Sequence, residues 1–437
     1  MDIRDRAAAI AQLQDMILGY ELSDALDLAA EGIDATPNAC PHCGSVEFSR
    51  NGHANGRQRY RCKGCARTFL ARRPINIISR SKLPRSTWMR FITCFVDGLT
   101  VQRCAANCGV SVPTAYYMRL RVMQVIESNL PDWHVGFEQE ASLDETFILE
   151  SFKGNRKKCK DFTMPRAPFP RGRQSPHGPK RPKGITKADF LCVMSGVDGE
   201  GNAFFDIATR GALKNDVCKE RLSGKIGNGA TVATDDHGAY ACLSDMGAIR
   251  KVFVSTVPEG EINRVNTLHS TLKAFLAPKR GVSSRRLHLY LAEFAWRWSR
   301  TRADERSNDT VRRVIGQIAK TDAGAVTESI SSAGYPFIEY WGTQQGKDEH
   351  RRQLLAARQY VINREMLKHA GDAEKEAELR MRQRKLDLDI AESGIKPSSV
   401  GKGVYDNQAV ADRTACTASI LRGGAKANVG AVRKFLM

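Results

Sequence analysis

Four cysteines constrain this chain more than any other feature. Cys40-Pro-His-Cys43 and Cys62-Lys-Gly-Cys65 each hold two residues between their thiols, and residues 44–61 separate the pairs. That spacing suits a closed four-thiolate Zn²⁺ site, in which two tight knuckles aim four sulfurs at one ion. Such a site is a structural staple, so the chemistry of the chain has to lie elsewhere. Tyr60-Arg61 and Arg67-Thr68-Phe69 flank the second knuckle, and their alternation of apolar and basic residues suits the short strands of a zinc ribbon. Two disulfides or two redox-active pairs are the competing readings. The paired knuckles, with no thioredoxin-like strand-helix context around either, weigh against both.

The chain has 437 residues, room for two or three domains. Its net charge is +19, from 67 Lys and Arg against 48 Asp and Glu. That excess favours a polyanionic partner, because phosphates neutralised by basic side chains release their counterions. A merely soluble basic protein would carry the same sign. The remaining cysteines, among them Cys94, Cys104, Cys192 and Cys416, are scattered singly among apolar residues, as reduced, core-packed thiols of the cytosol are. The N-terminus lacks a signal-peptide apolar stretch, and no window is apolar enough to span a membrane. A cytoplasmic, nucleoid-associated location is therefore expected.

Helical spacing runs through residues 7–30, and residues 82–128 read as a compact helical unit. Within that unit a helix carrying Ala105 stops at Gly109, Val110 fills the turn, and Ser111 caps a second helix with Pro113 in its first turn. A small residue where helices cross, a glycine turn and an apolar residue after it form the helix-turn-helix pattern. The second helix offers Thr114, Tyr116, Tyr117, Arg119 and Arg121 to bases and phosphates. Any two-helix corner in a core is the plainer reading; the adjacent ribbon and the charge favour DNA.

From residue 138 the pattern changes to strands at 140–150, 190–198, 203–209, 230–235 and 250–255, with a short helix around 213–224. A basic tract over 153–187, including Arg156, Lys157 and Lys158, interrupts them. Its proline and glycine density forbids a helix, so it reads as a loop: a solvated linker or a phosphate-tracking arm. Residues 346–395 are charged and helix-forming, as in a coiled or solvent-laced helix.

Asp144 ends an apolar approach inside one strand, and Asp235 does so in another. Carboxylates at the ends of neighbouring strands can share divalent cations, and nucleic-acid chemistry uses Mg²⁺ held in this way. Either residue alone would more often just terminate a strand. A third cluster changes the balance. Asn263, Asn266, His269 and Lys273 lie three or four apart, on one helical stripe. A solvated face would be richer in Glu and Lys. His269 or Asn266 would complete a metal site, and Lys273 would hold a phosphate.

The order of these pieces resembles a bacterial insertion-sequence transposase of the zinc-ribbon, DDE type. It runs zinc ribbon, helix-turn-helix, strand with Asp144-Glu-Thr, basic interruption, strand with Thr234-Asp235 and Tyr240, and then the helix with Asn263, Asn266, His269 and Lys273. Tyr290-Leu-Ala-Glu-Phe-Ala-Trp-Arg-Trp-Ser-Arg300 follows. The resemblance covers roughly residues 37–302. It implies a multidomain α+β protein: an N-terminal helical segment (1–36), a zinc ribbon (37–74), a helix-turn-helix unit (80–130), a mixed α/β RNase H-like core (138–302, with the insertion 153–187), and a helical tail (303–437). It implies binding to double-stranded DNA, both the element's inverted ends and the target. Mg²⁺ or Mn²⁺ would serve cleavage that frees a 3′-hydroxyl and its transfer to target DNA. Holding two ends together implies a homodimer or larger assembly. Asp144 and Asp235 would be the first two metal carboxylates, and Asn263 and Lys273 match the third segment. Asn266 stands where Glu is common and His269 where an aromatic is common. His269, Asn266 or, more weakly, Glu293 would then supply the third ligand. The alternative is a decayed copy that survives as a ribbon and helix-turn-helix DNA-binding regulator.

Overall fold

The computed structural model describes residues 21–27, 29, 37–71, 75–154, 189–253, 262–302, 306–395 and 400. Most of the expected 7–30 helix, the insertion from residue 155 on with Arg156, Lys157 and Lys158, and the chain after 400 lie outside the described residues. The architecture is mixed α+β, with a three-stranded and a five-stranded sheet. The chain groups into two compact units. One comprises residues 1–146, 193–208 and 213–334; the other comprises 147–192, 209–212 and 335–437.

In the first unit, β1 (Phe48–Ala54) pairs antiparallel with β2 (Arg57–Cys62), and β2 with β3 (Thr68–Leu70). Asn55 and Gly56 both adopt positive φ, 53° and 67°, as the tightest hairpin turn with right-twisted strands requires. Phe48, Tyr60 and Phe69 pack edge-on or stacked at 5.4–5.7 Å between ring centres. With Cys40, Cys62 and Ala71 they are nearly all the apolar core this sheet has. A core so small needs a further cross-link.

The next helices are α1 (Arg85–Val96), α2 (Val101–Cys108) and α3 (Val112–Ser128). The Thr100 side chain caps α2, and Gly109 ends it in the left-handed region at φ 64°. Ser111 then accepts the Thr114 N–H at the start of α3. Trp88, Phe91, Phe95, Ala105, Ala115 and Met118 are all buried in one core. The later helix Ser307–Lys320 adds Val311, Val314, Ile315 and Ile318 to that core. Residues 307–332 thus pack with α1–α3, whereas the sequence places the start of a separate tail at 303.

The larger sheet has β4 (Glu140–Leu149), β5 (Phe190–Asp198), β6 (Ala203–Arg210), β7 (Thr231–Thr234) and β8 (Ile249–Val252) in the order β6-β5-β4-β7-β8. β4 pairs parallel with β7, and β7 with β8. The short helices α4 (Asn215–Leu222) and α5 (Cys242–Asp245) fall in the connections before and after β7. Then follow α6 (Ile262–Leu276), α7 (Leu287–Arg302), α8 (Ser307–Lys320) and α9 (Ala323–Ser332). α6 buries Val265, Leu268 and Leu272 along one stripe and exposes Asn266 and Lys273 on another.

The second unit carries α10 (Gln344–Lys368) and α11 (Ala373–Ser393). The charged stretch read from sequence as one helix is broken at Gly371, whose φ of 97° stops helical propagation. Leu355, Ile362 and Met366 face Leu379, Leu386 and Ile390 in a small core. The neck of the insertion also lies in this unit. The Glu150 N–H donates to the Asp189 carbonyl at 3.0 Å. The Glu150 carboxylate is bound by Arg210 and by Trp341 Nε1, and the Asp189 carboxylate by Gln353. Paired in this way, two buried acids are tolerable inside the fold. No helix among the described residues is long and apolar enough to cross a membrane.

Candidate active site

The cysteine quartet is assembled. All four sulfurs lie within 4.8 Å of one another, Cys40 at 3.7 Å from Cys65 and Cys43 at 3.6 Å from Cys62. The Cys65 N–H favours the Cys62 thiolate and lowers its pKa to about 6. At Cys43 the Ser45 N–H acts in the same sense, but the neighbouring thiols of Cys65 and Cys62 outweigh it and push Cys43 up to about 12. Four thiolates this close repel one another until a dication joins them. The donor set and spacing therefore fit a structural Zn²⁺.

The second cluster is built on the sheet and α6. The parallel register pairs Glu140 with Thr231, Ala141 with Val232 and Ser142 with Ala233. Carried onward, the same register sets Asp144 beside Asp235, just past the end of β7. Asp144 Oδ1 accepts the Glu145 N–H at 2.8 Å, while Oδ2 lies 3.5 Å from His269 Nδ1. Burial raises the Asp144 pKa to about 7, with the charges of Glu145 and Asp235 adding to the rise. Burial also lowers His269 to about 4, and the Lys273 ammonium presses it further down. An acid held protonated and a base held neutral mark a pocket short of positive charge.

Among the described residues, only the cysteines bring three or more His, Cys, Asp or Glu ligand atoms within 4.8 Å. Asp235 neighbours the Asp144–His269 pair without closing on it, and its Oδ1 accepts the His237 N–H at 3.0 Å. Asn266 and Lys273, both exposed, flank the buried His269 along α6. Asn263 lies in the first turn of that helix, and its side chain falls outside the described residues. Carboxylate and imidazole donors at this spacing fit a divalent cation of the Mg²⁺ or Mn²⁺ kind, and an open geometry is common before substrate binds.

Three further side chains support the site, of which only Tyr240 stood out in the sequence. Ser195, fully buried on β5, lies 2.5 Å from His269 Nε2 and 3.0 Å from the Asp144 carbonyl. Arg250 reaches from β8 to Thr234 Oγ1 and to the carbonyls of Asp235 and His237, and so pins the loop that carries Asp235. Buried Tyr240 donates to Glu145 Oε2 at 2.9 Å. Ser195 was signalled only by being a hydroxyl in an otherwise apolar strand, and Arg250 by no pattern at all.

Against known proteins, no family model matches the chain. It is similar to a protein of Halobacterium salinarum named as an uncharacterized protein in transposable element ISH50. The two are 26% identical over 266 residues, which cover 59% of this chain and 84% of that protein.

Two expectations need correction. Arg119, expected on the DNA-reading face, is 6% exposed and donates to both oxygens of Glu293 at 2.6 and 2.8 Å. Glu293, the weakest of the third-ligand candidates, is fully buried and also accepts from Arg297 Nε at 2.9 Å. Both of its oxygens are committed to guanidinium groups, so it offers nothing to a cation. Arg297 and Arg300 in turn bond the carbonyls of Phe95 and Val96, satisfying the C-terminal end of α1. The Tyr290–Arg300 segment of α7 thus fastens that helix to α1. Of the other expected DNA contacts, Tyr117 is 61% exposed, and Thr114, Tyr116 and Arg121 are half-buried.

Proposed function

We propose that this chain is a transposase that cleaves and transfers DNA strands at the ends of its own element, with Asp144, Asp235 and His269 as its metal ligands. The juxtaposition of Asp144 Oδ2 and His269 Nδ1, beside the register-matched Asp235, carries the reading. The similarity to a protein of a transposable element supports it, as does a strand order that fits an RNase H-like core.

Bound at these donors, Mg²⁺ or Mn²⁺ would polarise the scissile phosphate and activate the attacking oxygen. The chain's own residues do the rest. Asp144, whose proton burial holds up to about pH 7, would have to be ionised to hold such a cation. His269 offers a neutral imidazole, and Lys273, exposed one turn further on, meets a phosphate oxygen. Arg250 fixes the loop bearing Asp235. Attack by water breaks one phosphodiester bond and leaves a 3′-hydroxyl, which then attacks a phosphate of the target. Each step exchanges one P–O bond for another. α3 would place Tyr117 and Arg121 against DNA, and the cysteine ribbon and the basic insertion would add phosphate contacts.

The rival reading, a decayed DNA-binding regulator, rests on Asn266 standing where a carboxylate is common and on the open geometry at Asp235. Purified protein incubated with labelled element ends and Mg²⁺ or Mn²⁺ decides between them. Nicks at the element boundary are expected from the wild type. Asp144→Asn and Asp235→Asn are each expected to abolish nicking while end binding persists. Wild-type binding without nicking under either metal would establish the regulator instead.

A further inference from the structure

We propose that Ser195 is a positioning residue that fixes His269 with its proton on Nε2 and so turns the bare Nδ1 toward Asp144 as the cation's nitrogen ligand. The inference deepens the reading of the metal site given above, and rests on it for what the nitrogen is for.

Counting protons fixes the tautomer. Ser195 is the single hydroxyl in the buried run Leu191–Val197. A hydroxyl in so apolar a strand is costly unless its hydrogen bonds are made. Its Oγ lies 3.0 Å from the Asp144 carbonyl oxygen, which has no proton to give, so Ser195 is the donor there. That uses its only proton. The contact with His269 Nε2, at 2.5 Å, must therefore run the other way, from Nε2–H to Oγ.

The other ring nitrogen then decides the issue. Nδ1 faces Asp144 Oδ2 at 3.5 Å. An N–H donating to a carboxylate would sit at about 2.7–2.9 Å. The wider gap says that no proton bridges the pair; with Asp144 ionised, as at about pH 8, two lone pairs face each other. Two atoms each about 2.1 Å from one ion, at an angle between square and tetrahedral, lie about 3.0–3.4 Å apart. The pair is thus spaced to hold a cation and not to share a proton. Metal-binding histidines commonly have their other nitrogen oriented by such an outer hydrogen bond. A nitrogen donor among carboxylates also tilts the preference from Mg²⁺ toward Mn²⁺.

The test reads the imidazole directly, without DNA and without turnover. The full chain, zinc-loaded and free of other divalent cations, is labelled with the heavy nitrogen isotope in histidine, and His269 is assigned by its loss in His269→Gln. At about pH 8, His269 is expected to show a protonated Nε2 and a bare Nδ1, and added Mn²⁺ is expected to broaden its signals. In Ser195→Ala the preference is expected to mix or invert, with Mn²⁺ affinity roughly 10-fold weaker. A wild-type His269 protonated on Nδ1, or on both nitrogens, overturns the proposal, as does a Ser195→Ala variant with unchanged tautomer and Mn²⁺ affinity. The wild-type spectrum is decisive even if the variant does not fold. A protein with the expected tautomer that never nicks DNA would sink the transposase reading alone.

Discussion

At the scale of single residues, Asp144 is the most heavily constrained side chain of the site. It was legible because an acid closing an apolar strand approach is conspicuous, and the same holds for Asp235. What surrounds them was not. Ser195 and Arg250 act through contacts 51 and 15 or 16 residues away in sequence, and no local spacing encodes such pairings. Burial of Asp144 has a consequence for stability. The folded chain holds that proton up to about pH 7, while an unfolded chain releases it near 3.8. Between those values the folded state binds more protons, so stability falls as pH rises through the window. For His269 the order is reversed, about 4 folded against 6.5 unfolded, so stability is lost as pH falls through that range. Asp144→Asn removes only the first slope. Without divalent cation, it should unfold with a free energy roughly 2 kcal/mol above wild type at about pH 8. The difference should vanish near pH 4, as followed by denaturant unfolding. Equal stability at the higher pH would mean that Asp144 is not the strained group described here.

At the scale of elements, the helix-turn-helix corner could be read from capping chemistry alone. Gly109, Ser111 and Pro113 are local signals, and they stand where the structure places the end of α2 and the start of α3. Which face of α3 is free could not be read that way. Arg119 and Arg121 look alike in sequence, yet Arg119 is taken by Glu293, a residue 174 positions away. The contrast can be measured. Glu293→Gln should leave two guanidinium groups short of a counter-charge inside the fold and destabilise it by about 3 kcal/mol. Tyr117→Ala, at an exposed position, should leave stability within about 0.5 kcal/mol of wild type and still weaken binding to element ends. Unfolding curves and an end-binding titration test both halves. Unchanged binding by a folded Tyr117→Ala would take α3 off the DNA.

At the scale of the whole molecule, order along the chain was more legible than grouping. The strands, their interruption by a basic segment and the polar stripe of α6 follow from hydrophobic period and turn residues. The grouping follows from packing between distant segments. Residues 307–332 join the core of α1–α3, while the neck of the insertion at Glu150 and Asp189 is held by residues 341 and 353. The ribbon's few apolar residues make its fold depend on the cysteine quartet. Stripping zinc with a strong chelator should unfold the ribbon and release about one Zn²⁺ per chain, while the unfolding of the remaining core is unaffected. Metal analysis with proteolysis around residues 44–61 reads this out. A ribbon that stays protected after the metal is gone would show that its three aromatic rings suffice.

Whether Asp144, Asp235 and His269 hold a catalytic cation can be seen by diffraction from Mn²⁺-soaked crystals, recorded where manganese scatters anomalously. An anomalous peak is expected about 2 Å from Asp144 Oδ2 and His269 Nδ1, with Asp235 drawn in toward it. A map with no manganese at these side chains would contradict such a site.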